Sequence, residues 1–457
     1  MTKETDSAPP RKRDRFLKLA GMTASVAGRY AATRVKEAFQ SEDEAKEGRL
    51  EAYKRSGERI AETLGELKGA AMKIGQMASI GSDILPRELS DALTKLQKKA
   101  PPMPYEAIAA QIERELGSAP ELLFESFERT PFASASIGQV HRARVDDGRE
   151  VVVKVQYPGV DESVDSDLAH LKLALRASGL VNKAHRAGLG RVFEELRERL
   201  HEELDYTLEA ANVRQFRAFH ADHEGIVVPD VVGERSAQRV LTMTYEPGYA
   251  ISELDEQGFD QDTRDLLGRR LLDAVAAELF ELRAIQADPN PANYAFRKDG
   301  TVVLYDFGCV QAIHDEVITP YTQLIQASWV EDYDAAEKAL IELGVRNPNG
   351  PPVEHEFYRR WRNLFLQLYL VDEPFDFSAA TFQQQFMRLL PDAMKRLHSF
   401  EPPAKLVFID RTLGGLYGNL KRMGARVPLV DTIHQHIDLP ARLPDMTNYD
   451  GPVTRAP

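Results

Sequence analysis

The sequence predicts an α+β chain in which a small antiparallel sheet sits among long helical stretches. Three patterns predict it. Residues 139–145 and 151–155 are rich in β-branched residues and flank an Asp146-Asp147-Gly148 turn, which reads as a hairpin. Val302-Val303-Leu304-Tyr305 is a second short apolar run with strand character. Most of the remaining chain, including 161–178, 188–219 and nearly all of 262–421 outside one loop segment, carries helical periodicity. The 457 residues are 43% hydrophobic and 28% charged, an ordinary globular composition with length for two or three domains.

In order, residues 1–36 form a basic segment whose first part is polar and whose later part is an amphipathic helix. They hold nine Lys and Arg against Glu4, Asp6 and Asp14, a surplus of six, so the rest of a chain of net charge −13 carries −19. That balance excludes general nucleic-acid binding by the whole surface. The basic helix either lies on an anionic membrane surface or packs on the domain with its cations solvated. Residues 37–130 read as a helical block with helices at about 105–116 and 119–127, and 131–248 as a strand-containing lobe with inserted helices and a further strand at 225–232. Residues 249–424 read as a helical lobe. The five prolines from Pro428 to Pro457 mark 425–457 as irregular. The single cysteine, Cys309, excludes an internal disulfide and fits a reducing compartment. No stretch reaches the roughly 20 apolar residues of a membrane span, so the expectation is a cytoplasmic protein, at most peripheral on the inner membrane.

The chemistry concentrates in Gln286-Ala-Asp288-Pro-Asn290-Pro-Ala292-Asn293, followed by Asp306-Phe307-Gly308. An Asp, an Asn five residues on and a second Asp at the end of a strand are what phosphoryl-transfer enzymes of the protein-kinase type use. The first orients the attacking hydroxyl, and the other two hold Mg²⁺ against ATP phosphates. Hard oxygen donors on two neighbouring loops suit that ion. Lys154, mid-strand among valines, needs an anionic partner if buried and would reach the phosphates. The helical stretch 188–219 offers Glu202, Asp205 and Glu209 on one face, with Glu203 close by. Ala133, Ser134, Ala135, Ser136 and Gly138 occupy the place of a phosphate-covering loop but lack a G-x-G-x-x-G set, and Glu246 at the Glu246-Pro-Gly248 break joins them as a cofactor-binding candidate. Lys73-Ile-Gly-Gln76 places a lysine and a glutamine together on a helix; read alone, it is a surface pair.

Taken in order, these motifs resemble the ABC1/ADCK/UbiB (AarF-like) family of atypical protein-kinase-like proteins, a group linked to ubiquinone biosynthesis. Lys73-Ile-Gly-Gln76 is similar to its K-x-G-Q helix, and residues 133–143 to its alanine-rich nucleotide loop, with Ser134 in place of the middle alanine. Lys154 corresponds to the ATP lysine, Glu209 to its helix partner, and Glu203-Leu-Asp205 to the E-x-D pair that faces the K-x-G-Q helix. Asp288, Asn293 and Asp306 fall on the catalytic and metal positions, while Gln286, Asn290 and Ala292 depart from the H-A-D-P-H-P-G-N form.

The resemblance implies a bilobal protein-kinase-like fold with a small antiparallel-sheet N-lobe, a helical C-lobe and an added N-terminal helical block. It implies ATP and Mg²⁺ as cofactors, with catalytic Asp288, Lys154 and Glu209, metal ligands Asn293 and Asp306, and regulatory Lys73, Gln76, Glu203 and Asp205. ATP hydrolysis or small-molecule phosphoryl transfer in ubiquinone or other isoprenoid-lipid metabolism follows, with an isoprenoid lipid and ubiquinone-biosynthesis proteins as partners. The alternative is a nucleotide-gated pseudokinase scaffold or lipid-binding module without significant turnover.

Overall fold

A computed structural model describes residues 102–134, 137–178, 186–367, 374–378, 382–396, 398–401 and 405–441, with 20–22, 24, 25, 28 and 55 near the N-terminus. The Lys73–Gln76 pair, Ala135, Ser136 and most of the basic N-terminal helix lie outside the described residues. The chain divides into two compact units, one of residues 1–211 with 230–245, the other of residues 212–229 with 246–457.

The first unit is built on an antiparallel sheet. Its order is β1 (Ser126–Phe127), β3 (Gly138–Arg144), β4 (Glu150–Gln156), β6 (Val240–Thr244), with β2 (Ala133–Ser134) also on β3. The valine alternation sets the strand faces: Val151, Val153 and Val155 are buried, while Val152 and Lys154 take the other face. The Gly148 turn, at φ +84°, sets the β3–β4 register that pairs Lys154 with Val140, and on the other side Lys154 pairs with Leu241 of β6. Helix α1 (Tyr105–Leu116) ends on Gly117 in the left-handed region and buries Ile108 and Ile112 in the same core. Residues 119–127, expected as helix, hold one turn at Pro120–Leu123 and then pair as β1, because backbone bonding to Arg144 and Arg142 captures the segment.

Helices α2 (Val160–Ser178), α3 (Arg186–Glu203) and α4 (Tyr206–Phe219) follow. The stretch expected as one helix over 188–219 is therefore two. Gln156, buried at the end of β4, donates to the Leu204 carbonyl at 2.9 Å, and Tyr206 N–H donates to the Gln238 carbonyl at 2.9 Å. The chain bends around these anchors.

In the second unit β5 (Ile226–Val227) lies parallel to β9 (Val302–Leu304), which pairs antiparallel with β8 (Tyr294–Phe296). Only two residues of the expected 225–232 strand pair in this way. Val302, Val303 and Leu304 are all buried. A second ladder joins β7 (Ala284–Gln286) to β10 (Val310–Ala312). Helix α5 (Gln261–Ala277) starts on Asp260, whose carboxylate accepts the Thr263 N–H at 2.8 Å. It runs into a π-helical turn, Glu278–Leu282, and then Arg283 at φ +58° delivers the chain into β7.

Helices α6 (Asp315–Trp329), α7 (Tyr333–Glu342), α8 (His355–Leu366), α9 (Phe382–Met394) and α10 (Val407–Met423) complete the unit, with a small ladder of β11 (Phe375–Asp376) and β12 (Arg426–Val427). The irregular tail expected from residue 425 contains helix α11 (Leu429–His436), which buries Leu429 and Ile433. Among the described residues no helix is long and apolar enough to cross a membrane.

Candidate active site

In the first unit Lys154 finds the anion that its position demands. Its ammonium donates to both oxygens of Glu209, at 2.7 and 2.8 Å, and stands 5.0 Å from the centre of the Tyr206 ring. Lys154 is 13% exposed and Glu209 4%, so the pair is nearly dry and strengthened by low local dielectric. The break between α3 and α4 puts Glu209 there. Asp205 accepts the Thr207 N–H at 2.9 Å and its hydroxyl at 2.6 Å, starting α4 afresh with Glu209 in its first turn.

Glu202, Asp205 and Glu209 consequently do not share one helix face, contrary to the periodicity. Asp205 is a helix cap, and the Glu203 carbonyl lies 3.5 Å from Gln156 Nε2. The K-x-G-Q residues that these acids are expected to face lie outside the described residues.

The loop before the lysine strand is partly sheet: Ala133 pairs with Val140 and Ser134 with Gln139. Gly138 is required for a packing reason, since a Cβ there would stand 2.2 Å from the Val155 carbonyl oxygen. Glu246 is engaged in the second unit, by the Arg297 guanidinium at 2.7 Å and, through its backbone oxygen, by the Tyr305 hydroxyl at 2.6 Å.

In the second unit the two acidic segments are stitched together by backbone and side chain. Ala287 N–H donates to the Cys309 carbonyl at 2.7 Å, and Tyr305 N–H to the Asn293 carbonyl at 3.0 Å. Gln286, at the histidine position of the family pattern, donates from Nε2 to the Asp306 carbonyl at 2.9 Å and accepts the Tyr294 hydroxyl at 3.2 Å. Asn290 caps a 3₁₀ turn over Pro291–Asn293 by accepting the Ala292 N–H at 3.1 Å. The departures at Gln286 and Asn290 are thus built into the local structure. Asn293 donates to the Asp288 carbonyl at 2.8 Å, and its amide nitrogen lies 3.5 Å from Asp288 Oδ2. Asp306 accepts the Gly308 N–H at 2.9 Å, an Asx-type turn that fixes its carboxylate. Phe307 is buried against Phe216, ring centres 4.9 Å apart, and its carbonyl accepts from Asn212 at 3.0 Å.

Asn293 and Asp306 line one small cavity with Glu278, Gln286, Tyr294 and Phe307. Because Asn293 spends its N–H₂ on the Asp288 carbonyl, its amide oxygen is the atom left for a cation. With the Asp306 carboxylate it would offer a hard oxygen-donor set of the kind Mg²⁺ takes.

Three further groups carried no sequence signal. Arg411, on α10, donates to Asp288 Oδ1 at 2.9 Å. Asn212 holds the Phe307 carbonyl, as described above. Glu278, in the π turn, pairs with His220 at 3.2 Å, and His220 with His223 at 3.1 Å. Burial pushes the Glu278 carboxyl above its ordinary range, against the opposing pull of His220. Burial, with the negative charges of Glu278 and Asp288, raises the Tyr294 phenol.

Comparison with known proteins identifies the family. The family model described as "ABC1 atypical kinase-like domain" matches residues 95–340. The chain is 31% identical over 391 residues to atypical kinase coq-8, mitochondrial, of Caenorhabditis elegans, covering 83% of this chain and 50% of that protein. It is 31% identical over 388 residues to atypical kinase COQ8B, mitochondrial, of Rattus norvegicus, covering 83% and 72%. The chain spans about half the length of several curated relatives it matches. Among solved structures, that of Rv3197 from Mycobacterium tuberculosis in complex with erythromycin is 30% identical, with a TM-score of 0.62 over 87% of this chain and 98% of that one. By its lysine strand, its paired acidic segments and these matches, the chain belongs to the ABC1 atypical kinase-like family.

Proposed function

We propose that this chain is a Mg-ATP-dependent atypical kinase or ATPase that serves ubiquinone or other isoprenoid-lipid metabolism. The observation that supports the reading is the stitching of Asn293 to the Asp288 carbonyl and of Gln286 to the Asp306 carbonyl, which ties the two acidic segments together. Relatives named atypical kinases support it.

In this reading Lys154, oriented by Glu209, binds the α/β-phosphates. Asn293 and Asp306 would hold Mg²⁺, which would supply neutralisation of the negative charge on the transferring phosphate. Asp288 accepts a hydrogen bond from the attacking hydroxyl or water and so aims it at the γ-phosphorus. Small side chains at Ala133, Ser134, Ala135, Ser136 and Gly138 let backbone approach the nucleotide, and Glu246 is a further cofactor-binding candidate. By resemblance to the family's K-x-G-Q helix, Lys73 and Gln76, with Glu203 and Asp205, take a regulatory role. The excess of basic residues in 1–36 supports attachment to an anionic membrane surface.

The test is the thermal shift given by Mg-ATP. Ligand at 100 times Kd stabilises by about 2.7 kcal/mol, so the wild-type midpoint rises measurably. Asp306→Asn is expected to lose that shift, and an undiminished shift refutes the metal assignment. A second reading, nucleotide binding that gates a scaffold without turnover, draws on Gln286, Asn290 and Ala292, which depart from the H-A-D-P-H-P-G-N form. Hydrolysis by the intact chain decides between them.

A further inference from the structure

The loop from Asp288 to Asn293 contains no cation of its own: Pro289, Asn290, Pro291 and Ala292 stand between them. A cation reaches it from 123 residues away, where Arg411 Nη2 donates to Asp288 Oδ1 at 2.9 Å, both side chains being 25% exposed. The same helix, α10, is fitted to the loop over two further turns. Thr412 Oγ1 donates to the Gln286 carbonyl at 3.4 Å, and Asn419 Nδ2 to the Pro289 carbonyl at 3.1 Å. Gly415 lies against Pro289 so closely that a Cβ would stand 2.1 Å from the ring Cγ. Residues 411, 415 and 419 recur every fourth position and so present one face. That face is anchored from within, since Ile409, Leu416 and Leu420 of α10 are buried, and Gly424 in the left-handed region closes the helix.

We propose that α10 is the positioning element of the catalytic loop and that Arg411 is the positioning residue for Asp288. The guanidinium stays charged at every working pH and holds Oδ1 in a fixed direction. Oδ2, on the Asn293 side, is then the oxygen presented to the acceptor. Arg411 acts through Asp288 and takes no part in holding nucleotide. The inference rests on Asp288 orienting the acceptor, and its failure can be told apart from failure of that reading.

The experiment is a double-mutant cycle on the full chain, with steady-state ATP turnover, Mg-ATP affinity and thermal midpoint measured for each variant. Misplacing a reacting group by about 1 Å costs up to about a hundredfold, so Arg411→Ala is expected to lower kcat by about tenfold to a hundredfold. Mg-ATP affinity should stay at the wild-type value, and added guanidinium should restore part of the rate. In the Asp288→Asn background, Arg411→Ala should cause no further loss. Arg411→Lys, which keeps charge and stem but lacks the fork, is expected to fall between and serves if the alanine variant does not fold. A normal kcat in both Arg411 variants, or losses that add fully to that of Asp288→Asn, overturns the inference. Undiminished turnover in Asp288→Asn, or no turnover in the wild type, overturns the reading of Asp288 and this inference with it.

Discussion

Replacing Lys154 tests how the first unit pays for a dry ion pair. The ammonium meets both Glu209 oxygens at 2.7 and 2.8 Å, with the two side chains 13% and 4% exposed. At an effective dielectric of about 20, two unit charges about 2.8 Å apart attract by about 6 kcal/mol before desolvation is subtracted. Desolvation takes back most of that, so the pair adds little net stability, yet removing one partner strands a buried charge at a cost of about 3–5 kcal/mol. Lys154→Met takes the bidentate ammonium away from the buried Glu209 carboxylate. The double variant Lys154→Met/Glu209→Leu removes both charges and is expected to recover most of the loss, because apolar replacement of a buried pair is commonly neutral or better.

Guanidinium denaturation of the wild type, Lys154→Met, Glu209→Leu and the double variant, read as midpoints at constant slope, gives the energies directly. The double variant should fold well and bind no Mg-ATP, separating the pair's structural cost from its role. A loss under about 1 kcal/mol for Lys154→Met, or a double variant as unstable as the sum of the singles, refutes the argument.

Gln286→Leu removes the donor to the Asp306 carbonyl and the acceptor of Tyr294, leaving buried polar atoms at about 1–3 kcal/mol each, and should lower both stability and turnover. Gln286→His should restore the donor and add a pH limb near the imidazole's ordinary value of about 6.5; a flat profile contradicts the assigned contact. Glu278 has its folded-state pKa raised by burial, so the folded protein binds its proton more tightly than the unfolded chain does. The stability this confers is complete below the carboxyl's ordinary range and is lost as pH rises through the raised value. Glu278→Gln should therefore exceed the wild type in stability at pH 8, with the gap closing towards pH 4; a constant gap across denaturation curves at both values contradicts it.

Much of the site was legible because its signals are local. The alternation around Lys154 fixed its face, and the spacing of Asp288, Asn293 and Asp306 survives as two short ladders joined by backbone bonds. The division of α3 from α4 was not legible. Glu202-Glu-Leu-Asp-Tyr206 holds no Gly or Pro and keeps helical period, and the bend comes from Gln156 and Gln238, remote in sequence. Arg411 was hidden for the same reason: inside an amphipathic helix it looks like any surface arginine, and only the fold brings Asp288 to it. Prolines misled in the tail, where Pro428 and Pro440 flank α11 and do not interrupt it.

Hydrolysis of ATP by the intact chain under single-turnover conditions, with Mg²⁺ and with and without anionic vesicles, tests the central claim most directly. The account predicts release of phosphate in the wild type and its loss in Asp306→Asn and Lys154→Met. Saturating Mg-ATP binding with no phosphate released on or off vesicles would contradict it, and would leave a nucleotide-gated scaffold in its place.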